Sequence, residues 1–584
     1  MPLNKAQAQA VNSNSKVILC VASAGTGKTR VLTARTARLL KEDRISPLNI
    51  LCLTFTRKAA GEMRERLGTM LPENVVRKLR IGTFHSFCFE IIKQWGELAG
   101  YRKNVSIYDE IDQKDILEAI INDFGFKTNP RAVLAARKEE QQDADVKCVL
   151  DEYKSILRQY NALDYDMLVD TALELLGMPQ VLEYYRNRFR HILIDEYQDI
   201  DPYQYELHRI LQPDSLFVVG DNDQAVYGWR SADMRILLDF MEKFPKAEKI
   251  ILEDNYRSQP GIVEFANRVI EKNKNRFEKK MVAYRDGRLE PVINPGFEGV
   301  FEEGQFVLAE VNFLRSAFRH DYREIAILAR TNRQLIEFEA WLKTTDLPCV
   351  RIGSKQDLWK REEIRLCANL LKILYNPWDN QALKSIFRTL QVDIPALKRL
   401  EWQARKQEKC LLEVVEHDIA NVIRGHVDGH VFIPGRLKGE RASDVLLNIC
   451  NGLHVTDFYL QRMLTTRVER IKQAGTYLIE KGWSLEAFIE WYSMREATDE
   501  LEDCGNEDKV RLMTVHMAKG LEFPVVFVIG LADGVFPSRR GDQEEERRLF
   551  YVACTRARDR LYLSCPLTDG NGKELKPSTF LTGG

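Results

Sequence analysis

VILCVASAGTGKTRVL, residues Val17 to Leu32, is the stretch on which the reading of this chain turns. Val17, Ile18, Leu19, Cys20 and Val21 form an apolar run that reads as a buried strand. The run breaks into Ala22-Ser23-Ala24-Gly25-Thr26-Gly27, and a helix starts at Lys28-Thr29. A strand, a small-residue turn and a helix N-terminus together make an anion cradle. Successive backbone N–H groups point inward there, and the helix dipole adds partial positive charge. Lys28 can then reach the β- and γ-phosphates of a nucleotide, and the Thr29 hydroxyl can ligate Mg²⁺. Ala22 stands where the simple pattern has its first glycine, so a Gly-containing loop without function is the competing reading. The strand and helix flanks favour a nucleoside triphosphate site.

At 584 residues the chain is too long for one core and should hold several subdomains. Its hydrophobic content of 45% is that of a globular protein. No apolar segment approaches the length of a membrane span, and MPLNKAQAQA lacks the apolar core of a signal peptide. Lys plus Arg (85) nearly cancel Asp plus Glu (86), so any nucleic-acid site must be a local groove. The 11 cysteines include no C-x-x-C pair and sit mostly in apolar runs, as Cys20, Cys52 and Cys554 do. That pattern argues for reduced, cytoplasmic thiols and against a zinc or iron–sulfur module.

Gln7 precedes the first strand by about ten residues, and its amide can meet a purine edge as donor and acceptor at once; a solvated side chain is the plain alternative. A second strand, Asn49 to Phe55, ends in Thr56-Arg57-Lys58 and starts the helix Ala59–Leu67. Arg80-Ile-Gly-Thr-Phe84-His85-Ser86 has the same build. Both place hydroxyls, a cation and a ring at the C-terminal edge of a parallel sheet, where α/β folds bind ligands. Rings such as Phe55 stack on unpaired bases, and hydroxyls hold phosphodiesters; core packing of Phe55 and Phe84 is the alternative. From about 88 to 187 helical periodicity dominates (Ile111–Phe124, Val146–Tyr160, Met167–Leu176) with no convincing strand. The run Arg137 to Asp143 reads as a solvated face, and Tyr165 as a residue facing a nucleic-acid groove.

The sheet resumes at His191-Ile-Leu-Ile194 and ends in Asp195-Glu196. After a phosphate loop, such a pair is the second half of a triphosphate motor. Asp195 would hold Mg²⁺ and Glu196 would polarise the attacking water. Leu216 to Gln224 follows, then Ala225-Val-Tyr227-Gly-Trp229-Arg230. Gln224 is placed to sense the γ-phosphate, and Trp229 offers a stacking face a few residues on.

With these stretches in view the chain resembles superfamily 1 helicases of the UvrD/Rep/PcrA type. The resemblance is carried by LNKAQ, AGTGKT, LTFTRKAAGEM, GTFHS, LIDEYQD, VGDNDQAVYGWR, NYRS (Asn255–Ser258), VRLMTVHMAKGLEFPVV (Val510–Val526) and EEERRLFYVACTRA (Glu544–Ala557). It implies an α/β fold of two RecA-like motor cores with parallel sheets, each carrying a mostly helical insertion. The expected division is 1–87 with 188–254 for the first core and 88–187 for its insertion. The second core takes 255–377 with 506–584, and 378–505 is its accessory insertion. The resemblance implies ATP and Mg²⁺ as ligands, with Gln7 and Tyr256 on the adenine and Glu522 on the ribose. Ala22 to Thr29 would hold the phosphates and metal with Arg30 nearby, and Arg257 and Arg556 would be paired arginine fingers. Phe55, Thr56, Tyr165, Trp229, Arg230, Asn332, His516 and Lys519 would line a single-strand track, with Tyr227 and His85 as further candidates. An arginine supplied by another core stabilises developing charge and makes closure depend on the nucleotide, worth roughly 10³–10⁵ in rate.

The expectation is an ATP-dependent DNA helicase acting on single-stranded DNA and on single/double-strand junctions, with 3′→5′ polarity from the resemblance alone and no membrane association. Some features depart from the family. The second insertion is shorter, with basic patches at Arg436, Lys438 and Arg441 and at Arg462, Arg467, Arg470 and Lys472. Val392-Asp393-Ile394-Pro395 stands where relatives carry a Gly-Ile-Gly hairpin, and Arg57 where they carry Asn. The sequence ends soon after Arg556, from which no C-terminal nuclease or polymerase-binding tail is expected. The rival readings are a non-unwinding translocase or motor subunit of a repair or anti-phage complex, and a nucleotide-gated binder without turnover.

Overall fold

The computed structural model describes residues 2–137, 143–230, 232–287, 289–353, 359, 361–389, 394–414, 481–495, 507–539, 541–569 and 572–582. Val392 and Asp393 of the substituted hairpin, and the basic patches from Arg436 to Lys472, lie outside the described residues. The strands in chain order are β1 (Val17–Ala22), β2 (Ile50–Thr54), β3 (Arg80–Thr83), β4 (Ser106–Tyr108), β5 (Ala162–Asp164), β6 (His191–Ile194), β7 (Ser215–Gly220) and β8 (Glu248–Leu252). Then come β9 (Asp254–Asn255), β10 (Val282–Ala283), β11 (Val292–Phe297), β12 (Ile325–Ala329), β13 (Cys349–Arg351), β14 (Val510–Thr514), β15 (Phe523–Val528) and β16 (Ala557–Pro566).

One six-stranded sheet runs β3-β2-β6-β7-β1-β8, every pairing parallel, with Val17 opposite Leu216 and Ile18 opposite Glu248. Strands buried on both faces have no polar side to present, which is why β1 and β2 read as unbroken apolar runs. Ile18, Cys20, Val31, Ile50, Cys52, Met63, Leu193 and Phe217 share one core on this sheet. The second six-stranded sheet runs β11-β16-β15-β12-β14-β13, again wholly parallel. Leu328, Met513, Val526 and Leu561 belong to a core on it that also holds Ala24 and Val226 of the first sheet's loops.

The chain divides into two compact units. The first comprises Met1–Phe84, Leu176–Ser354 and Glu496–Gly584, and so holds both large sheets. The second comprises His85–Leu175 and Lys355–Arg495 and is mostly helical. Inside this second unit a buried ionic cluster ties the two chain segments together. Lys372 donates to Asp112 (3.1 Å) and Arg365 to Asp109 (2.9 Å) and Asp112 (3.2 Å), while the Tyr108 hydroxyl donates to Asp379 (2.8 Å).

Two sequence expectations change here. The stretch 88–187 does contain strands: β4 and β5 pair in parallel, Ser106 opposite Ala162. Each is three residues long, too short to show a period, and their partner lies over fifty positions away. Arg137, read as part of a solvated face, turns inward onto Asp164 (2.8 Å), which also accepts from the Tyr153 hydroxyl (2.9 Å). A solitary arginine in a charged run carries no sign of the buried carboxylate it will meet.

Candidate active site

The phosphate loop leaves β1 at Ala22 and closes on the helix Lys28–Lys41. Gly25 (φ +69°) and Gly27 (φ +81°) sit in the left-handed region that L side chains rarely adopt. A Cβ on Gly25 would also lie 2.7 Å from Asn255 Nδ2 and 2.9 Å from Arg257 Cβ. Gly27 is the N-cap and no side chain caps it, so the first-turn N–H groups of this helix are not consumed by a capping residue. The Thr26 hydroxyl donates to the Ser23 carbonyl (2.9 Å), and Ser23 N–H donates to Leu252 O (3.0 Å). The buried Ser23 hydroxyl and the buried Lys28 ammonium have no hydrogen-bond partner among the described residues. Arg30 lies on the first turn of that same helix. Orphaned polar groups around a glycine-walled loop suit a phosphate chain, which supplies the missing acceptors.

Gln7 reaches the loop from the N-terminal helix Lys5–Asn12. Its amide donates to Thr26 O (2.9 Å), and it shares a capping box with Asn4. Asn4 in turn donates to the Tyr256 hydroxyl (3.0 Å), and Tyr256 N–H donates to Gly25 O (3.0 Å). The two residues proposed for the base thus stand on one side of the loop.

The acids follow β6. Asp195 is buried and hydrogen-bonded by the Thr29 hydroxyl, and burial together with the adjacent Glu196 charge pushes its carboxyl up to about 7. Burial works against the Glu196 carboxylate too, but Lys28 and Lys519 hold it below its usual range. Lys28 Nζ lies 3.5 Å from Glu196 and 4.0 Å from Asp221. Glu196 has φ +51°, a left-handed backbone in a residue that has a Cβ. Among the described residues no cluster of three or more His, Cys, Asp or Glu side chains makes a self-contained metal site. One hydroxyl and one carboxylate fit Mg²⁺, which takes few protein ligands and completes its shell with phosphate and water. Thr29 and Asp195 would therefore hold that ion.

Gln224 sits on the short turn Asn222–Gln224 after β7. Its amide donates to Asp221 (2.5 Å) and its oxygen accepts from Arg556 Nη2 (3.1 Å). Arg556 precedes β16 in the second sheet and is fully buried, also donating to Leu521 O and Val552 O (both 3.0 Å). Burial and the neighbouring Arg257 lower its guanidinium to about 9. Arg257 donates to Glu522 (2.6 Å) and Thr555 O (3.1 Å). The structure therefore brings the loop, both acids, Gln224 and both arginines together, with parts drawn from both sheets.

A second group lies beyond Gln224. Phe55 stacks on Tyr227 (centroids 4.9 Å), Tyr227 stands 6.4 Å from Trp229, and Trp229 meets the His516 ring edge-on at 6.1 Å. Trp229 is 62% exposed. Thr56 caps the helix Arg57–Gly68 by accepting from Ala59 N–H, and Asn332 is exposed at the start of the helix Asn332–Leu342. Lys519 is not on an open face: it is buried, pairs with Asp199, donates to Gln224 O (2.7 Å) and lies over the Tyr227 ring (4.7 Å). His85 and Tyr165 belong to the second compact unit, where their rings meet edge-on at 5.5 Å and the Tyr165 hydroxyl donates to Ser493 O (2.6 Å). The side chain of Arg230 lies outside what the structure describes.

Sequence reasoning missed several members. Asn255 donates to Ala24 O (2.8 Å) and accepts from Arg257 and Ser258 N–H, pinning the NYRS turn to the phosphate loop. Gln198 links Glu196 (2.6 Å) to the Asp221 N–H, which donates to its oxygen (2.8 Å). These residues stood inside quoted motifs without a role of their own. Lys279 and Arg276, on Asp221 and Asp223, stood in no motif at all.

Two family models match the chain: the UvrD/REP helicase N-terminal domain over residues 3–245, and the UvrD-like helicase C-terminal domain over 250–424 and 459–567. The chain is similar to "ATP-dependent DNA helicase PcrA" of Leuconostoc citreum, at 32% identity over 99% of this chain and 84% of that protein. It is also similar to the PcrA helicase of Bacillus subtilis (strain 168), at 33% identity over 96% of this chain and 82% of that one. The "ATP-dependent DNA helicase UvrD1" of Mycobacterium tuberculosis (strain ATCC 25618 / H37Rv) matches at 33% over 96% and 82%. With two parallel six-stranded sheets, a phosphate loop leaving the first and Arg556 from the second meeting Gln224, the chain belongs to the UvrD/REP helicase family.

Proposed function

We propose that this chain is an ATP-dependent DNA helicase that moves 3′→5′ along single-stranded DNA and unwinds duplex at junctions in repair, replication or recombination. The observation that carries the reading is the Arg556–Gln224 contact beside Lys28 and Glu196: the nucleotide site is complete only when both sheets contribute.

Lys28 and the N–H groups of Gly25 to Thr29 bind the phosphates, and Gln7 and Tyr256 face the base. Thr29 and Asp195 would hold Mg²⁺, whose charge would offset that of the phosphates. Glu196 orients a water and takes its proton, while Arg257 and Arg556 stabilise charge that develops as the bond breaks. Gln224 is bonded to Arg556 through its side chain and to Lys519 through its carbonyl, and Lys519 lies over Tyr227. That path leads from the reacting phosphate to the Phe55–Tyr227–Trp229 face, on which bases stack. Melting costs about 1.4 kcal/mol per stacking step, so one ATP per nucleotide suffices.

The proposed division assigns 1–87 with 188–254 and 255–377 with 506–584 to the two cores, with 88–187 and 378–505 as their insertions. Strand displacement on 3′- and 5′-tailed duplexes tests the reading. Unwinding of the 3′-tailed duplex with ATP is expected. Unwinding of the 5′-tailed duplex alone contradicts the polarity, and translocation without unwinding of either favours a motor that works inside a larger complex.

A further inference from the structure

Asp221, Asn222 and Asp223 are buried on the turn that leads to Gln224. Two cations reach them from the segment between the helix Pro260–Ile270 and β10. Lys279, its side chain 1% exposed, donates to Asp221 Oδ1 (2.5 Å) and Asn222 Oδ1 (2.9 Å). It also lies 3.2 Å from Asp223. Arg276 grips Asp223 with both Nε (3.0 Å) and Nη2 (2.8 Å). The other oxygen of Asp221 accepts from the Gln224 amide (2.5 Å) and lies 4.0 Å from Lys28 Nζ.

One buried carboxylate is thus within reach of two lysines and of Gln224. A buried charge left without its partner is costly, and the nearest cation moves to meet it. Were Lys279 neutral, that cation would be Lys28, which stands 4.0 Å from Asp221 and, 3.5 Å from Glu196, makes no hydrogen bond among the described residues. Arg276 is already engaged in bidentate fashion on Asp223, so it is not a replacement.

We infer that Lys279 is a positioning residue of the nucleotide site: by neutralising Asp221 it leaves Lys28 to the phosphates and fixes which way the Gln224 amide faces. This rests on the reading of Lys28 as the phosphate-binding lysine. It gives the loop after the helix Pro260–Ile270, silent in the sequence, a part in ATP affinity.

The experiment is phosphate release against ATP concentration in the full chain, with saturating single-stranded oligonucleotide. Lys279→Met is expected to raise the KM for ATP about tenfold or more, equivalent to about 1.4 kcal/mol. Lys279→Met with Asp221→Asn removes both charges and is expected to return KM to within about threefold of the parent. A KM in Lys279→Met within about twofold of the parent, or a double variant as impaired as the single one, overturns the inference. If Lys279→Met does not accumulate as folded protein, the double variant alone decides: near-parental KM supports the role, and a raised one overturns it. A parent chain that does not turn over ATP would instead overturn the reading of the site itself.

Discussion

Glu196 holds φ +51°, a backbone conformation that costs a residue with a Cβ about 1–3 kcal/mol. Its surroundings over-determine it: Gln198 donates to its carboxylate and Lys28 stands 3.5 Å away, so the strain serves to aim the acid. Glu196→Gln keeps the size and removes the proposed base. Phosphate release should fall by about 10²–10⁴ while single-strand binding, read by fluorescence anisotropy, is retained. Turnover close to the parent's would deny Glu196 its role. A second carboxyl behaves oppositely. Glu303 is buried under the second sheet, accepts from Gly530 N–H (2.8 Å) and Ser564 Oγ (2.6 Å), and is pushed up to about 7 by burial. The unfolded chain releases that proton near 4.5, so the folded form binds more protons between 4.5 and about 7. The stability from Glu303 is thus fully present below 4.5 and lost as pH rises through about 7, of order 3 kcal/mol. Glu303→Gln should raise the melting temperature at pH 8 and change it little at pH 5; an equal shift at both would contradict this.

At the scale of elements, strands buried on both faces announce themselves. Val17–Ala22, Ile50–Thr54 and His191–Ile194 are apolar runs ending in a loop, an aromatic or acids, and each was legible from those ends. What such a run cannot show is its neighbour, so the order β3-β2-β6-β7-β1-β8 came only with the fold. The three-residue strands β4 and β5 left no period to read. In the candidate site, the loop, acids and arginines were legible because their spacing is local or their motif is whole. Lys279 was not: a lysine in a polar run looks solvated, and its partner Asp221 is 58 positions away. Lys519 was visible as a motif residue, but its burial against Asp199 depends on two sheets meeting. Trp229 belongs to this scale too, because its face depends on the turn after β7 and on His516 beyond β14. Trp229→Ala should weaken oligonucleotide binding by about 1–3 kcal/mol and reduce DNA-stimulated turnover more than turnover without DNA. Equal loss of both would count against a stacking role.

The whole molecule is two compact units, one with both parallel sheets and one mostly helical. Within the first, Asn255 of β9 holds Ala24 of the phosphate loop, while Arg556–Gln224 and Lys519–Asp199 join loops of the second sheet to the turns that follow β7 and β6. Lys519 also lies over the Tyr227 ring, so on the proposed function a strand bound at the aromatic face and a nucleotide bound at Lys28 would act on connected side chains. Linkage makes such coupling reciprocal: what ATP does for strand binding, the strand must do for ATP. The direct test is phosphate release from ATP by the purified chain, with and without a saturating single-stranded oligonucleotide. The rate should rise many-fold when the oligonucleotide is added; an identical rate in both would contradict the coupling of nucleotide to strand.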